Sequence, residues 1–416
     1  MLRELYSYHF HGLKPGLDRI SELMKDMGNP HMSYDYVHIT GTNGKGSTSH
    51  YCADILRSEG KRVGVYTSPH LNDFRERIQI NGEMADKERT ASILEGLLKN
   101  ARERRYSFFE ITTALAFEYF KEKHIDIAVL EVGMGGRWDA TNIVDSKRAI
   151  ITNVSLEHTQ YLGSTIEAIA FEKSGIIKEN ANVVTCADDG ALDVIRRIAG
   201  ERNSKLSVLN RDFRYVSKSS TIEGNSFTYA DESSEIELEN RLAGLRQMEN
   251  ACSAVRAVKD MVSESALKKG IKNAFIPGRF EVVKRDGKRV IIDGAHNPGA
   301  AASLANDLSF FCIKPVLVLG VLKDKNYSEI CKALCPLAHL VIVTEPRADR
   351  KLERETLAEE ARKYSSVIVA KDLGSAIDLG LNMGSDVCVA GSLYLAGEAR
   401  EVLGLTESRE HFRGDF

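Results

Sequence analysis

The sequence predicts an α/β protein: a parallel-sheet domain that carries a small antiparallel sheet, followed by a second, smaller Rossmann-like α/β domain. From residue 36 onward, short β-branched runs alternate with helical patterns, as in parallel strands joined by crossover helices. The alternation resumes beyond a Pro-Gly break near residue 277, where the composition also shifts. Because 416 residues exceed what one hydrophobic core usually holds, we expect domains at residues 1–276 and 277–416.

Three apolar runs of the first domain are predicted to be buried strands: residues 36–40, 127–132 and 149–154. Polar residues lie at or just past the ends of the second and third runs, so the tips of these two strands are expected to point at one crevice at the carboxyl edge of the sheet. Between about residues 205 and 238 the hydrophobic period becomes two, which predicts the small antiparallel sheet, and a long helix is expected from about Gln247 to Met261. The second domain has five predicted strands: residues 290–293, 316–320, 340–344, 366–370 and 387–391.

The composition excludes several classes of partner. A formal net charge of −3 provides no basic surface for nucleic acid or anionic lipid. The seven cysteines are mostly isolated among apolar residues, which predicts free thiols in a reducing compartment. Neither an apolar leader nor an apolar run of membrane length is evident. We therefore expect a cytoplasmic monomer without nucleic-acid or membrane partners.

The strongest local signal is a glycine-rich segment between the first predicted strand and a helix: Gly41-Thr42-Asn43-Gly44-Lys45-Gly46-Ser47-Thr48. Small residues let backbone N–H groups approach phosphate oxygens, a helix N-terminus attracts negative charge, and a lysine reaches the β and γ phosphates. The segment therefore predicts a P-loop-type ATP site in which Lys45 binds phosphate. Gly46 separates Lys45 from the hydroxyl of Ser47, unlike the usual motif, and an ordinary glycine turn before a helix is the alternative interpretation.

This variant loop resembles the nucleotide loop of the folylpolyglutamate synthase and dihydrofolate synthase family, within the Mur ligase superfamily. Further matches follow in the family's order over essentially the whole chain: Thr67-Ser68-Pro69-His70-Leu71, Glu131-Val132-Gly133-Met134-Gly135-Gly136-Arg137, Asp139-Ala140-Thr141-Asn142, Glu157-His158-Thr159, Glu172-Lys173-Ser174-Gly175, Pro277-Gly278-Arg279 and Asp293-Gly294-Ala295-His296-Asn297-Pro298. The resemblance implies a ligase that uses ATP and Mg²⁺, with two ions expected, to activate a carboxylate as an acyl phosphate. It further implies that L-glutamate is then joined to a folate or a pteroate, with release of ADP and phosphate.

Metal ligands are predicted at two strand ends. Glu131 lies near the end of one apolar strand and His158 lies just past another. Taken alone, each has an ordinary explanation, since a strand-end glutamate is often solvated and a lone histidine is more often structural. Together with Ser68 and the phosphate loop, they form a set of oxygen and imidazole ligands suited to Mg²⁺ bound with ATP. The resemblance implies that Ser68 and Glu131 hold one magnesium and that His158 holds a second.

Lys173 has two interpretations. A lysine beside Glu172 in a helical segment is ordinarily half of a surface ion pair of small energetic value. The resemblance implies instead that CO2 carbamylates Lys173 and that the resulting anion helps to hold the second magnesium. Carbamylation requires a neutral amine, and hence a lowered pKa.

The second domain is expected to contribute Asp293 and His296, which follow a predicted strand in a turn closed by Asn297-Pro298. Helix capping explains Asn297 and Pro298, but it does not explain an aspartate and a histidine together. The resemblance implies that Asp293 contacts the nucleotide and that His296 faces the phosphoryl and amino-acid end. Three further residues are implied in substrate binding: Asn250 and Arg279 for ATP, and Arg75, more weakly, for the carboxylate of the incoming glutamate.

Local departures and two competing functions stay open at this point. Arg246 and Ile276 stand where the family usually has His and Trp, and Asn326 stands where it usually has Asp. One competitor is a related Mur-type ligase that acts on another pterin or on a cell-wall precursor. The other is a nucleotide-binding switch without ligase chemistry, against which the Asp293 and His296 pair argues. The motifs do not separate dihydrofolate synthesis from the extension of glutamate tails.

Overall fold

The computed structural model describes residues 1–8, 16–285 and 287–406, and these residues form two large sheets and one small sheet with helices around them. The fold is α/β, as predicted. The helices are α1 (Leu2–Ser7), α2 (Asp18–Asp26), α3 (Lys45–Ser58), α4 (Lys87–Arg104), α5 (Phe108–Glu122), α6 (Thr159–Leu162), α7 (Ile166–Ser174), α8 (Asp189–Glu201), α9 (Arg246–Val258), α10 (Glu264–Asn273), α11 (Pro298–Phe310), α12 (Tyr327–Leu334), α13 (Arg354–Ala361), α14 (Leu373–Asn382) and α15 (Leu393–Val402).

The first sheet consists of β1 (Asp35–Thr40), β2 (Val63–Tyr66), β3 (Ile78–Ile80), β4 (Glu83–Met84), β5 (Ile127–Glu131), β6 (Arg148–Ile151), β7 (Asn182–Thr185) and β8 (Lys205–Val208). The spatial order is β4-β3-β2-β5-β1-β6-β7-β8. The six strands from β2 to β8 in that order are parallel, whereas β3 and β4 pair in antiparallel fashion. Ile39 of β1 lies opposite Glu131 of β5 and Ile150 of β6, so these three strands end at one level.

Helices cover both faces of the first sheet, which explains its continuous apolar strands. All five residues of β5 are buried. Ala128 and Leu130 pack in a cluster with residues of α5, whereas Ile127 and Val129 pack on the other face with residues of α3 and α9. A strand with alternate side chains buried on both faces reads as an uninterrupted hydrophobic run. The chemistry of the first half is therefore confined to the carboxyl edge, where the strands end.

The small sheet consists of β9 (Phe213–Thr221), β10 (Gly224–Asp231) and β11 (Glu235–Asn240), all antiparallel. The prediction of a small antiparallel sheet is confirmed, but its predicted start near residue 205 is wrong. Residues 205–208 form β8, which pairs in parallel with β7 at the edge of the first sheet. Four residues at a sheet edge are too few for periodicity to reveal their direction.

The third sheet consists of β12 (Glu281–Arg285), β13 (Lys288–Ile292), β14 (Val316–Leu319), β15 (Leu340–Val343), β16 (Val367–Val369) and β17 (Val387–Ala390), in the order β12-β13-β17-β14-β15-β16. Its five predicted parallel strands are confirmed. Helices α11, α12 and α13 pack on one face, and α14 and α15 pack on the other, as in a doubly wound fold. The antiparallel edge strand β12, which pairs with β13, was not predicted. The boundary between residues 276 and 277 stays a prediction.

Two helical glycines allow a test of how tightly α3 is held. A Cβ at Gly270 of α10 would lie 2.4 Å from the Cα of Ile55 in α3, whereas a Cβ at Gly96 of α4 would meet nothing within 4 Å. Gly96→Ala should stabilise the chain by about 0.5–1 kcal/mol through helix propensity. Gly270→Ala should destabilise it by about 1–3 kcal/mol, because the clash is with backbone that cannot turn aside. Midpoints of denaturant unfolding measure both changes, and shifts of the same sign would contradict this account of the α3 and α10 packing.

Candidate active site

The phosphate loop lies between the end of β1 and the start of α3, at the centre of the carboxyl edge. Gly41 has φ +152°, and a Cβ there would lie 1.8 Å from Oγ1 of Thr152. Gly44, the N-cap of α3, is left-handed at φ +85°, and its Cβ would lie 2.4 Å from Oδ1 of Asn250. Only glycine tolerates both the positive φ angle and the lack of room for a Cβ atom at these two positions. The loop therefore brings backbone close to the strand end beside it and to α9.

Residues that follow β6 brace the loop from the side. The backbone N–H of Thr42 donates to the carbonyl of Asn153 (2.9 Å), and the N–H of Asn43 donates to Oδ1 of Asn153 (3.0 Å). The carbonyl of Asn43 accepts from Oγ1 of Thr152 (2.7 Å) and from Nδ2 of Asn153 (2.8 Å). The loop is thus held in one conformation by neutral polar groups. Neither Thr152 nor Asn153 was predicted to be a site residue.

Two lysines meet at the carbonyl of Gly41. Nζ of Lys45 donates to the carbonyls of Gly41 (3.0 Å) and Thr42 (3.1 Å), and Nζ of Lys173 donates to the same Gly41 carbonyl at 2.8 Å. Lys173 is only 3% exposed, so the alternative interpretation as a solvated surface ion pair is wrong. Burial, and then the charge of Lys45, lower the pKa of Lys173 to about 7. Near neutral pH a substantial fraction of this amine is therefore uncharged.

Glu131, the last residue of β5, faces the loop from the other side. Its carboxylate is 5% exposed and accepts a hydrogen bond from the backbone N–H of Ser68 (3.0 Å). Burial raises the pKa of Glu131, and the nearby charge of Lys45 opposes that rise. A Cβ at Gly46 would lie 3.7 Å from both carboxylate oxygens, so the first turn of α3 runs directly beside them. Lys45, Ser68 and Glu131 thus lie together, as the sequence analysis expected.

The carboxylate of Glu157 and the imidazole of His158 also belong to the site. His158 is left-handed at φ +51° and caps α6. Burial lowers its pKa, whereas the adjacent carboxylate of Glu157 raises it. Burial alone raises the pKa of Glu157, but the surrounding cations and imidazoles lower it overall: Lys45, His158, His296 and Lys173. Glu157 was part of a quoted motif, but no role was predicted for it.

The second half of the chain reaches the same place. The carboxylate of Asp293, just after β13, accepts from the backbone N–H groups of Phe280 and Ala295 (2.8 Å each). Burial raises its pKa, and the charge of Arg279 opposes the rise. The charge of Arg279 also lowers the pKa of Glu131, which belongs to the first sheet. Residues from both halves therefore act on one another electrostatically across this site.

His296 is held as a neutral imidazole. Its Nδ1 lies 2.8 Å from the carbonyl of Gly294, which places the proton on Nδ1 and leaves Nε2 as the acceptor nitrogen. Burial lowers the pKa of His296 to about 4, assisted by the charges of Lys325 and Arg279. Lys325, which lies in the segment where the family motif is altered, had no predicted role.

The remaining predicted residues have different surroundings. Asn250 is buried behind Gly44, and its Nδ2 donates to Oε1 of Gln247 (3.4 Å). Ser47 and Thr48 are buried in the first turn of α3, and among the described residues Oγ1 of Thr48 has no hydrogen-bond partner. Arg75 lies in a 3₁₀ turn, and its guanidinium holds Asp73 through two bonds of 2.9 and 3.1 Å. Binding of a glutamate carboxylate by Arg75 would therefore compete with Asp73.

The donor set suits a cation that also binds phosphate. Within residues 1–8, 16–285 and 287–406, Ser68 provides the one hydrogen bond made to the buried Glu131 carboxylate, which leaves further lone pairs for a metal ion. Mg²⁺ usually takes one or two carboxylates and completes its shell with water and substrate phosphates. Among the residues that the structure describes, the group of three acidic side chains close enough to share one ion is not at this site but at Glu345, Glu353 and Glu355. Ser68 and Glu131 therefore suit a magnesium site only if ATP contributes further ligands, and the ligand roles of His158 and Lys173 stay predictions.

Comparisons with known proteins identify the class of enzyme. The Mur ligase middle domain matches residues 39–258, and the glutamate ligase domain of Mur ligases matches residues 278–393. The chain therefore has the domains and the fold of a Mur-type ligase. A dihydrofolate synthase/folylpolyglutamate synthase of Bacillus subtilis is 33% identical over 94% of this chain and 96% of the relative. The chain belongs to the folylpolyglutamate synthase/dihydrofolate synthase family, which confirms the resemblance.

Solved structures agree with this assignment. Folylpolyglutamate synthase of Thermotoga maritima is 40% identical, with 97% of each chain covered and a TM-score of 0.86. The Mycobacterium tuberculosis enzyme in complex with ADP is 31% identical, with 97% of this chain and 99% of that chain covered and a TM-score of 0.89. A probable bifunctional folylpolyglutamate synthase/dihydropteroate synthase of Halobacterium salinarum is 37% identical over 94% of this chain but only 50% of its own length. The chain thus spans about half the length of that relative, and 48% of its Haloferax volcanii counterpart.

In the part of the chain that the structure describes, no helix combines the length and the apolar character needed to cross a membrane.

Proposed function

We propose that the chain is an ATP-dependent ligase that adds L-glutamate to a folate, to dihydropteroate, or to both, and releases ADP and phosphate. One observation carries this proposal: the second half of the chain meets the phosphate-loop site, where Nδ2 of Asn297 donates to Oδ1 of the loop residue Asn43 (3.2 Å) and the charge of Arg279 acts on Glu131. Such a site surrounds a transferring phosphoryl group with positive charge and hydrogen-bond donors on two sides. The name of the Bacillus subtilis relative, and a structure of an Escherichia coli relative in complex with DHPP and ADP, support the choice of substrates.

The reaction has two steps. A carboxylate does not accept an amine in water, so its oxygen first takes the γ-phosphoryl group of ATP, which forms an acyl phosphate and ADP. The amine of glutamate then attacks the acyl carbon, and the C–O bond to phosphate breaks, which leaves an amide. Lys45 and the N–H groups of the loop hold the phosphates and offset the charge on the transferring group. Neutral His296 offers Nε2 to the proton of the attacking amine.

Two magnesium ions belong to this proposal. Ser68 and Glu131 would hold one, and His158 with carbamylated Lys173 would hold the other. When bound, Mg²⁺ neutralises charge on the phosphate oxygens. The support for the sites is the donor set itself: the buried carboxylate of Glu131 has acceptor capacity to spare, and the carboxylate of Glu157 lies next to His158, near Lys45, Lys173 and His296.

Carbamylation of Lys173 is a separate proposal. The neutral Nζ would form a bond to the carbon of CO2 and lose a proton to solvent, so that an amine that is otherwise neutral or cationic becomes a carbamate anion. The support is the burial of Lys173 and its pKa, which burial and Lys45 lower to about 7. Because the neutral fraction of an amine grows as the pH rises through its pKa, the carbamate should increase with pH from about 6 to 8.

A carbon-13 NMR experiment tests that modification without any activity measurement. The protein, equilibrated with ¹³C-bicarbonate at pH 7.5, should show one protected carbamate resonance that is absent in Lys173→Ala. Lys178 is the matched control, because burial also lowers its pKa, to about 8, while its Nζ donates to the carbonyl of Asn142 (2.7 Å). Lys178→Ala should keep the resonance. A wild-type spectrum without a carbamate signal would exclude the modification.

The choice between substrates needs an acceptor panel. ADP release should require both a carboxylate acceptor and an amino acid, and it should be measured over pteroate, folate, other pterin and muramyl acceptors crossed with glutamate and other amino acids. Release only with pteroate or folate and glutamate would support the proposal, and the comparison of those two acceptors separates dihydrofolate synthesis from tail extension. Release with a muramyl acceptor would indicate the cell-wall alternative, and acceptor-independent hydrolysis would indicate a nucleotide switch.

The chain is proposed to act as a monomer on these small molecules, without nucleic acid. The support is its net charge of −3, which attracts no polyanion. Sedimentation at working concentration tests the monomer.

A further inference from the structure

Asn297 reaches across from the second half of the chain to the phosphate loop of the first. Its Nδ2 donates to Oε1 of Glu157 (2.9 Å) and to Oδ1 of Asn43 (3.2 Å). Its Oδ1 accepts from the backbone N–H of Ala300 (2.8 Å) and so caps α11. The same amide therefore begins a helix of one half and binds two groups of the other half.

Both partners of Asn297 occupy critical places. Asn43 is the loop residue whose backbone is already fixed by Thr152 and Asn153, so its side chain is the part of it that the second half can hold. Glu157 is the carboxylate that lies among Lys45, Lys173 and the two site histidines. An amide that holds both oxygens sets the distance between the loop and this carboxylate.

The approach of α11 to the loop is close. A Cβ at Gly299, in the first turn of α11, would lie 3.0 Å from Nδ2 of Asn43. Two donated bonds and one accepted bond are available from a carboxamide but not from the other common capping side chains. Serine would cap α11 and could not bridge both oxygens, whereas aspartate would cap α11 and place a like charge beside Glu157. Capping alone does not explain why the residue is asparagine.

We propose that Asn297 is a positioning residue that couples the seating of the second half to the phosphate loop, so that the loop and Glu157 are set for phosphoryl transfer only when α11 is docked. The proposal rests on the ligase function proposed above. It assigns to Asn297 no contact with substrate. Loss of the bridge should loosen the loop and let water reach the acyl phosphate before the amine has attacked, because a closed site protects this intermediate from hydrolysis.

Hydrogen exchange tests the bridge independently of the ligase function. In the nucleotide-free protein, Asn297→Ser should raise the exchange rate of backbone amides in the 41–46 segment by roughly 5-fold, the loss expected when a hydrogen bond of ordinary strength no longer restrains an opening. Asn297→Asp should raise it further. Asp372→Ser is the matched control, because Asp372 is the exposed N-cap of α14 in the same half and accepts from the N–H of Ser375 (2.8 Å). The control should leave exchange at 41–46 unchanged.

The ratio of ADP released to amide formed is the second readout, measured with the acceptor that the wild-type protein uses. Wild-type protein should release one ADP per amide. In Asn297→Ser, kcat for amide formation should fall by roughly 10-fold with little change in the KM for ATP, and the ratio should rise above one. Asn297→Asp should be worse than Asn297→Ser, although aspartate caps a helix at least as well as serine does.

The outcomes separate the two proposals. Unchanged exchange in the 41–46 segment of both Asn297 variants overturns the positioning role, and so does equal behaviour of Asn297→Ser, Asn297→Asp and the control. A kcat loss with a ratio that stays at one indicates a structural role only and likewise overturns it. If wild-type protein itself shows no acceptor-dependent ADP release, the ligase proposal fails, whereas the exchange result still reports on the bridge.

Discussion

Replacement of Lys45 by alanine should reduce acceptor-dependent ADP release by roughly 10²- to 10³-fold, the usual effect of removing one preorganised electrostatic stabiliser. Nζ of Lys45 donates to the carbonyls of Gly41 and Thr42, at the point where the loop leaves β1. When the β and γ phosphates bind there, their oxygens are the stronger acceptors for the same ammonium. The measurement is kcat with saturating acceptor and glutamate, together with the ATP dissociation constant from calorimetry.

Lys99→Ala is the control for this variant, because Lys99 is an exposed residue of α4. It should leave both ATP affinity and turnover unchanged. Lys45→Ala also has a consequence for Lys173, whose pKa the charge of Lys45 lowers. Removal of that charge should raise the pKa of Lys173, leave less neutral amine at pH 7.5 and weaken its ¹³C-carbamate resonance. Near-normal turnover in Lys45→Ala would show that the loop does not hold the transferring group.

The sequence was informative wherever local chemistry determines structure. The loop could be predicted because Gly41 and Gly44 occupy positive-φ positions that other residues rarely adopt, and because a helix must begin at Lys45. The strands of both large sheets could be predicted because burial on two faces leaves continuous apolar runs. Glu131 could be assigned to the site because it ends such a run, and the structure has it beside Ser68.

Contacts between distant parts of the chain could not be predicted. The brace of Asn43 by Asn153 joins residues 110 positions apart, and the bond from Asn297 to Asn43 spans 254 positions. Single polar residues of this kind leave no periodicity or spacing to detect. Glu157 was visible beside His158, but its importance depends on residues that three other segments contribute, Lys45, Lys173 and His296.

The surroundings of Lys173 could not be predicted from its neighbours in sequence either. In sequence it is a lysine next to a glutamate, which is the pattern of a solvated ion pair. In the fold it is buried in α7 with its Nζ on the carbonyl of Gly41, while Glu172 lies 3.7 Å from Arg137. The lowered pKa of Lys173 follows from burial and from Lys45, neither of which its neighbours in sequence reveal. Here the family resemblance indicated a role that residue-level reasoning alone would have rejected.

Glu131→Gln should remove most turnover and yet stabilise the folded chain at neutral pH. The substitution keeps the shape of the side chain but removes the charge that a magnesium ion needs, so kcat should fall roughly 10²- to 10³-fold. The binding of Mn²⁺ in the presence of a non-hydrolysable ATP analogue should also weaken, and electron paramagnetic resonance measures that binding.

Burial raises the folded-state pKa of Glu131 above its ordinary value of 4.5. An acid shifted in that direction costs stability once the pH exceeds its unfolded pKa. Thermal unfolding of Glu131→Gln should therefore occur above that of wild type at pH 7, and the difference should shrink as the pH falls through the raised pKa and vanish below 4.5.

Glu110→Gln is the control that separates a ligand carboxylate from a structural one. Glu110 is also buried, but it accepts from the backbone N–H of Ser107 (2.7 Å) and pairs with Arg19 (3.0 Å). Its replacement should leave Mn²⁺ binding intact and destabilise the chain by about 1–3 kcal/mol, since it weakens two satisfied bonds. Opposite signs in the two variants would mean that the protein retains a costly, under-bonded charge at the end of β5 because catalysis requires a cation there. If Glu131→Gln instead destabilised the chain and left metal binding unchanged, Glu131 would be a structural acceptor for Ser68, and the first magnesium site would have to lie elsewhere.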